Sequence, residues 1–230
     1  MELSDQGRHV PLWFELPEGF VAVDLDEDPE TRDARVAEMT ARLAGDAATP
    51  DQVDLFVAGT GMGLARMRRA GLTHMSSLLA TTEDGGLTTA MLTVMVTDSE
   101  RPNPRTFARD NVGAFGDEGP SRQVGVVDLP CGEAIAVFEL LESTTKGIMF
   151  GVAEDVVQCF AQAQVIVAFP QDMKIAVFTL ATPDLENCDD LLAVFAEICK
   201  TITFTRPAER PDGTADPAAK VLGNITSVLG

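Results

Sequence analysis

The segment VDLFVAGTGMGLARMRRAG, residues 53–71, contains the glycine-rich stretch that most resembles a phosphate-binding turn. A dinucleotide-binding turn needs glycines at its first, third and sixth positions, where the backbone must approach a pyrophosphate closely. Counting from Gly59, the sixth position is Leu64, and counting from Gly61 it is Arg66. No Gly-Lys-Ser or Gly-Lys-Thr follows to bind a triphosphate. We therefore predict that the segment binds no cofactor.

The residues before these glycines favour a helix. Thr49 is a typical N-cap residue, Pro50 suits the first helical position, and Gln52 has the place of a capping-box residue. The pattern predicts a helix over residues 50–70, with a break or kink confined to Gly59–Gly63. Because a glycine inside a helix costs about 1 kcal/mol relative to alanine, we expect the missing side chains to permit close packing on a sheet.

Three acidic residues, Asp24, Asp26 and Asp28, have the alternating spacing of a calcium-binding loop. The sixth position of such a loop should be glycine but is Pro29, and the twelfth should be glutamate but is Arg35. We therefore predict no metal site. Acidic residues are favoured at a helix N-terminus by the helix dipole, and Asp28 is placed to cap a helix that begins at Pro29.

Side chains that could act in catalysis are few and isolated. The histidines are His9 and His74, and each is expected to be a strand residue with an ordinary hydrogen bond. Cys131, in LPCGE, has no histidine near it in sequence to serve as a base. There is no Gly-x-Ser-x-Gly elbow and no tyrosine. We predict that the protein is not an enzyme, and that its four cysteines are reduced and mostly buried: Cys131, Cys159, Cys188 and Cys199.

Arg66, Arg68 and Arg69 form the one basic cluster, in the last turn of the predicted helix. Positive charge complements the C-terminal end of the helix dipole, which gives these arginines a structural role. The alternative is an anion or an acidic partner bound by the three guanidinium groups. A deep pocket lined by them would favour small-molecule binding, whereas a flat apolar surface would favour protein binding.

The composition limits the class of partner. The 230 residues include 36 acidic and 17 basic side chains, for a formal net charge of −19. Nucleic acid and anionic membranes would be repelled by this surface. The first twenty residues lack a basic stretch followed by an apolar one, and no run of 18 apolar residues occurs. We therefore expect a cytoplasmic location without membrane insertion.

Arginine supplies 13 of the 17 basic residues (17 minus four lysines), which suggests a GC-rich, actinobacterial genome.

The predicted elements do not alternate between strand and helix as in a parallel doubly wound sheet. Two strands joined by a turn, over residues 10–25, precede the two helices, with Trp13 and Val21 expected to be packed. A hairpin follows at 73–96, then a connection rich in proline and glycine with at most two helical turns. QVGVVDLPCGEAIAVFELLE and GIMFGVAEDVVQCFAQAQVIVAFP supply long strands, and MKIAVFTLAT follows closely enough to be the hairpin partner of the last one. A helix with Leu191, Val194, Phe195 and Ile198 inward and a short strand, TITFT, complete the order. This is the pattern of an α+β domain, an antiparallel sheet with helices packed on one face, over residues 1–205.

Beyond residue 205 the composition shifts to proline, alanine, glycine and charged residues, which predicts a flexible linker over 206–219. Five apolar residues near the C-terminus have the spacing of one helix face: Val221, Leu222, Ile225, Val228 and Leu229. About ten residues are too few to form a stable isolated helix. We expect a frayed tail in the free protein, or else a short anchor that becomes helical only when it binds in a groove of this chain or of a partner.

Three segments carry a resemblance to a known family: VPLWFELPEGFVAV, GLTTAMLTVMV and MKIAVFTLATPDLENCDDLLAVFAEICKTITF. They resemble small actinobacterial proteins of the PsbP-like fold, among them mycobacterial LpqN-type lipoproteins. The resemblance implies an antiparallel sheet with helices on its face and a role in binding other proteins. Together with the absence of catalytic motifs, it predicts a non-catalytic protein-binding domain, associated with a secretion or assembly pathway. The alternative prediction is an anion- or small-molecule-binding domain, conceivably enzymatic, that uses Arg66, Arg68 and Arg69.

Overall fold

The computed structural model of the protein describes residues 2–5, 8–44, 49–81, 87–100, 103–116, 121–145 and 156–206. Its strands are β1 Glu2–Asp5, β2 Arg8–Trp13, β3 Phe20–Ala22, β4 Leu72–Thr81, β5 Leu87–Asp98, β6 Arg122–Leu129, β7 Gly132–Thr145, β8 Val156–Ala168 and β9 Lys174–Thr182. Its α-helices are α1 Pro29–Ala44, α2 Pro50–Arg69, α3 Phe107–Asn111 and α4 Cys188–Lys200, and α3 is continued by a 3-10 turn, Val112–Phe115.

Seven strands form one antiparallel sheet in the order β3-β4-β5-β9-β8-β7-β6, and β1 and β2 form a separate two-stranded sheet. The predicted hairpin of β4 and β5 and the predicted pairing of β8 with β9 are both confirmed. The α+β class with an antiparallel sheet is therefore confirmed as well.

Helix α4 covers one face of the sheet, which we call the α4 face. Leu92, Val94, Phe178 and Val165 lie on this face and are almost completely buried. The four helix residues that were predicted to face inward, Leu191, Val194, Phe195 and Ile198, are all buried in the same core. Burial of each such side chain contributes about 1.5–3 kcal/mol to folding.

The opposite side, which we call the α3 face, is covered only in part. Phe107 and Ala108 of α3 pack on Ile135, Val137 and Ile166, which point away from α4. The prediction that all helices pack on one face is therefore wrong. The connection between β5 and β6 is long, and its apolar residues cover the nearby part of this second face.

The N-terminal segment is joined to the end of α4. Leu12 and Phe14 are buried in the main core, and Trp13 between them is half-buried. The N–H groups of Trp13 and Thr203 each donate to the other's carbonyl at 2.9 Å. This single bridge replaces the short final strand that was predicted for TITFT. The backbone N–H of Glu15 adds a bond of 2.8 Å to the Thr201 hydroxyl.

Helix α1 begins as the sequence predicts. Pro29 is its first residue, and the Asp28 carboxylate accepts a hydrogen bond of 3.0 Å from the N–H of Thr31. Hydrogen bonds from Thr31, its hydroxyl first, lower the pKa of Asp28. The acidic residue therefore serves as the N-cap that its place before Pro29 indicated.

Helix α2 runs without interruption from Pro50 to Arg69, so the predicted helix is confirmed but a break at the glycines is not. A side chain added at Gly59 or Gly63 would meet no atom within 4 Å, and one at Gly61 would meet Arg32 of α1. The prediction that these glycines allow close packing on the sheet is wrong. Gly71, which follows the helix, is the position that requires glycine. Its φ is +100°, and a Cβ there would lie 2.2 Å from the Val96 carbonyl oxygen.

We expect Gly59→Ala and Gly63→Ala each to raise the free energy of unfolding by roughly 0.5–1 kcal/mol, because alanine restricts the unfolded chain and enters open space. Gly71→Ala is the matched control and should destabilise strongly. Chemical denaturation of the three variants tests both signs. A loss of stability in Gly59→Ala or Gly63→Ala would show that the helix needs these glycines.

Candidate functional site

The uncovered part of the α3 face carries large apolar side chains. Val21 is 67% exposed, Leu79 65% and Met91 38%. Val21 lies opposite Ser77, Ser77 opposite Met91, and Met91 opposite Ala181, so one row crosses β3, β4, β5 and β9. Leu79 lies two residues from Ser77 along β4 and therefore points to the same side. We call Val21, Leu79, Met91 and Ala181 the apolar patch.

Val21 was expected to be packed, and this prediction is wrong. Its neighbour Phe20 lies opposite Leu78 and packs against the main core, whereas Val21 lies on the other side of the three-residue strand β3. A strand with apolar residues at consecutive positions presents them to both faces. At Val21 the second face is exposed, whereas α3 covers a different part of that face.

A shallow depression of about 550 Å³ opens within the apolar patch. Six of its lining residues project their side chains from the α3 face of the sheet: Ser77, Leu79, Thr89, Met91, Gln158 and Phe160. Among the described residues that line it, none is ionisable. This described lining offers apolar contact and neutral hydrogen-bonding groups, which suit a docking surface.

A second and larger groove, of about 920 Å³, lies on the α4 face. We call it the α4 groove. Its floor includes Gly125 and Val127 of β6 and Phe138 of β7, and its wall is formed by Leu192 and Ala196 of α4. Charged residues of both signs stand among its lining residues: Arg122, Asp128, Asp189 and Lys200. Such a groove, apolar inside with polar groups around it, is suited to a ligand or a peptide.

Buried polar groups occur on β4, on the α4 face. His74 is 3% exposed and its ring lies edge-on to Phe14, with ring centroids 5.2 Å apart. Its Nε2 has no hydrogen-bond partner within the described residues, and the Oγ of the buried Ser76 has none either. The sequence predicts an ordinary hydrogen bond for the His74 ring, and at Nε2 this prediction is wrong. Burial lowers the pKa of His74 to about 4, so the ring is neutral near pH 7.

The arginine cluster is partly engaged in the fold. Arg68 donates to the Leu25 carbonyl and, at 3.0 Å, to the Asp26 carboxylate. The Nε of Arg69 donates to the Ala65 carbonyl at 3.3 Å, at the end of its own helix. Arg66 is exposed. The two grooves described above are lined by other residues, so the structure does not bring these arginines together around either of them.

The acidic residues near α1 are used locally. Asp24 accepts a hydrogen bond of 2.9 Å from the N–H of Asp26, Asp26 pairs with Arg68, and Asp28 caps the helix. Among the described residues, no group of three or more His, Cys, Asp or Glu side chains is placed to hold a metal ion.

The cysteines are all free, but only two of the four are buried, Cys188 and Cys199. Cys131 lies at the turn between β6 and β7 and is half-buried, whereas Cys159 is exposed. Burial raises the pKa of the thiols of Cys131, Cys188 and Cys199, which disfavours the thiolate form that a nucleophile requires. His9 lies on β2, and its side chain is outside the described part of the structure.

The apolar patch and the α4 groove were not predicted from the sequence. The signal for the patch was present in β4 and β5, where Leu78 and Leu79, and again Met91 and Leu92, are consecutive apolar residues. Such pairs show that both faces of a strand are apolar, but not which face is left uncovered. The predicted C-terminal binding residues lie outside the described residues: Val221, Leu222, Ile225, Val228 and Leu229.

Comparisons with known proteins give no relative, since no family model, no curated protein and no solved structure matches the chain. Within the described residues, no helix has the length and apolar character needed to cross a membrane.

We expect the stability of the protein to fall as the pH is lowered from about 6.5 towards 4. In this window the unfolded chain protonates His74 while the folded chain keeps the ring neutral, so acid favours unfolding, by up to roughly 3 kcal/mol. His74→Leu should remove this part of the pH dependence, and His9→Gln should retain it. Urea denaturation across the pH range would measure the difference. Identical slopes for wild type and His74→Leu would contradict the buried neutral histidine.

Proposed function

We propose that the protein is a non-catalytic protein-binding domain of the actinobacterial cytoplasm with a PsbP-like fold, and that its partner docks on the apolar patch. The observation that carries the proposal is the exposure of Val21, Leu79 and Met91 on one side of three neighbouring strands. Exposed large apolar side chains that are contiguous on a folded surface are typical of protein–protein contacts. Single exposed apolar residues elsewhere would not support this conclusion.

The chemistry of the patch indicates the kind of partner. Its lining is apolar with neutral hydroxyl and amide groups, whereas the chain as a whole carries a formal charge of −19. A partner with an apolar surface surrounded by basic residues would bury the patch and be attracted by the net negative charge of the chain. The binding mode that fits is an amphipathic helix laid across the sheet, with lysine or arginine on its flanks.

The alternative of an anion-binding domain has less support. Arg68 is bound to Asp26 and to a backbone carbonyl, so its charge is already compensated. Arg66 and Arg69 are exposed at the end of α2, away from the two grooves described above. Their position agrees with the structural role of complementing the helix dipole.

We expect Val21→Ser, Leu79→Ser and Met91→Ser, combined in one variant, to reduce partner capture by at least about tenfold while leaving the fold intact. Exposed positions tolerate such changes within about 0.5 kcal/mol each, whereas the lost apolar contacts weaken binding. Val157→Ser is the matched control, because Val157 is 60% exposed but lies on the α4 face.

The measurement is affinity capture from an extract of the source organism, quantified by mass spectrometry for wild type, triple variant and control. Proteins retained by wild type and Val157→Ser but lost from the triple variant would support the apolar patch. Equal capture by all three would contradict it.

The C-terminal segment gives a separate prediction. Deletion of residues 219–230 should leave the melting temperature nearly unchanged while weakening partner capture, because so short a segment gains a stable helix only by docking. Thermal unfolding and the same capture assay would measure both. A melting temperature lowered by several degrees would show that the segment belongs to the core, against this hypothesis.

A further inference from the structure

The sheet ends in an unusually accessible strand, β6. This strand, Arg122–Leu129, is paired with β7 on one side, and no described strand pairs with its other side. The edge strand at the other end of the sheet, β3, has only three residues. An edge of eight residues presents a row of unpaired backbone groups, which is a template for another strand.

The direction of these groups follows from one hydrogen bond. The N–H of Leu140 donates to the Ser121 carbonyl at 2.8 Å, so Ser121 faces β7. Backbone direction alternates along an antiparallel ladder, and this ladder has no shift of register. The residues whose N–H and C=O groups point to the open edge are therefore Arg122, Val124, Val126 and Asp128.

Features that usually prevent pairing at an edge are missing from β6. It contains no proline and no lysine, and it has no bulge. Val126 and Val127 are 40% and 36% exposed on its two sides, and a side chain at Gly125 would meet no atom within 4 Å. The edge is therefore open to a neighbour both along the backbone and at its side chains.

We propose that the occupant of this edge is a second copy of the chain, with β6 paired antiparallel to β6 about a two-fold axis. Residues opposite each other in a sheet share a face, so only registers that pair residues of the same parity are possible. With Gly125 opposite Gly125, Arg122 of each copy lies opposite Asp128 of the other, and Val124 lies opposite Val126. Every outward backbone group of the four residues is then paired, and two opposite-charge pairs form.

Neighbouring registers lose this match. A shift by two residues in one direction places Asp128 opposite Val124, and a shift in the other places Arg122 opposite Val126. Both ion pairs are lost in either case. The strand is thus complementary to itself in one register, which is the requirement for a symmetric contact between identical surfaces.

The net charge of −19 opposes association of like chains. The edge strand itself carries one arginine and one aspartate, and within its own chain Arg122 also lies 3.7 Å from the Glu139 carboxylate of β7. Charges farther away than about 8 Å are largely screened at physiological ionic strength. Because the contact is a single pair of strands, we expect roughly micromolar affinity.

Pairing at β6 would also extend the α4 groove. Gln123, Gly125 and Val127 line this groove and lie on the α4 face of β6. In the paired register, Gln123 of one copy meets Val127 of the other. The two α4 grooves then adjoin across the axis, and each copy supplies part of the wall of a longer apolar channel.

Charge-exchange variants test the pairing. Arg122→Asp places two aspartates opposite each other, and Asp128→Arg places two arginines opposite each other, so each variant alone should be monomeric. In an equimolar mixture, aspartates of one variant lie opposite arginines of the other at both ends of the contact, and dimers should return. Sedimentation velocity at protein concentrations up to about 100 µM measures the fractions of monomer and dimer in each sample. A monomeric wild type over that range, or no dimer in the mixture, would overturn the proposal.

A disulfide tests the register even where a charge variant folds poorly. At Gly125 the two copies form a non-hydrogen-bonded pair, with Cα atoms expected about 4.5 Å apart, within the range that a disulfide spans. In a Cys159→Ser background, which removes the exposed thiol, Gly125→Cys should give a covalent dimer on mild oxidation. Val127→Cys, which faces Gln123, is the control and should not. Equal cross-linking of the two variants, or none in Gly125→Cys, would refute this register.

Discussion

The antiparallel ladder between β5 and β9 holds the sheet together. The strand order is β3-β4-β5-β9-β8-β7-β6, and β5 with β9 is the one neighbouring pair in it whose strands do not follow each other in the sequence of described strands. The ladder runs from Met91 opposite Ala181 to Asp98 opposite Lys174 and so joins two distant parts of the sequence. Closing so long a loop costs conformational entropy. Burial of Leu92 and Val94 against the residues of β9 on the α4 face offsets that cost.

The position of α4 depends on this ladder. The helix follows β9 directly and packs over the centre of the sheet, where β5, β9 and β8 supply the buried residues. The end of α4 in turn holds the N-terminal segment, through Thr201 and through the bridge from Thr203 to Trp13. The α4 face therefore has a helix and an extended segment over it. On the α3 face, the short helix Phe107–Asn111 and its 3-10 turn pack over part of the area, and Val21, Leu79 and Met91 are exposed on another part.

Local elements could be predicted from the sequence because their signals are local. Pro29 and Pro50 mark the helix starts, and the inward face of α4 follows from periodicity. The pairing of β5 with β9 and the bridge at Thr203 could not be predicted, because they join residues far apart in the chain. The same limit applies to the candidate site. Consecutive apolar residues such as Leu78 and Leu79 show that both faces of β4 are apolar, but the uncovered face is fixed only by where α3 and α4 pack.

The acidic surface and the apolar surfaces act together on association. A chain with 36 acidic and 17 basic residues repels its own copies over most of its surface. An apolar patch or an open strand edge on such a chain is therefore less prone to indiscriminate aggregation. We propose that attraction remains at two places: between Arg122 and Asp128 of two paired β6 strands, and at the apolar patch, where a basic partner supplies the opposite charge. In both proposals the acidic surplus contributes to specificity, since it restricts which partners can reach the apolar patch and the β6 edge.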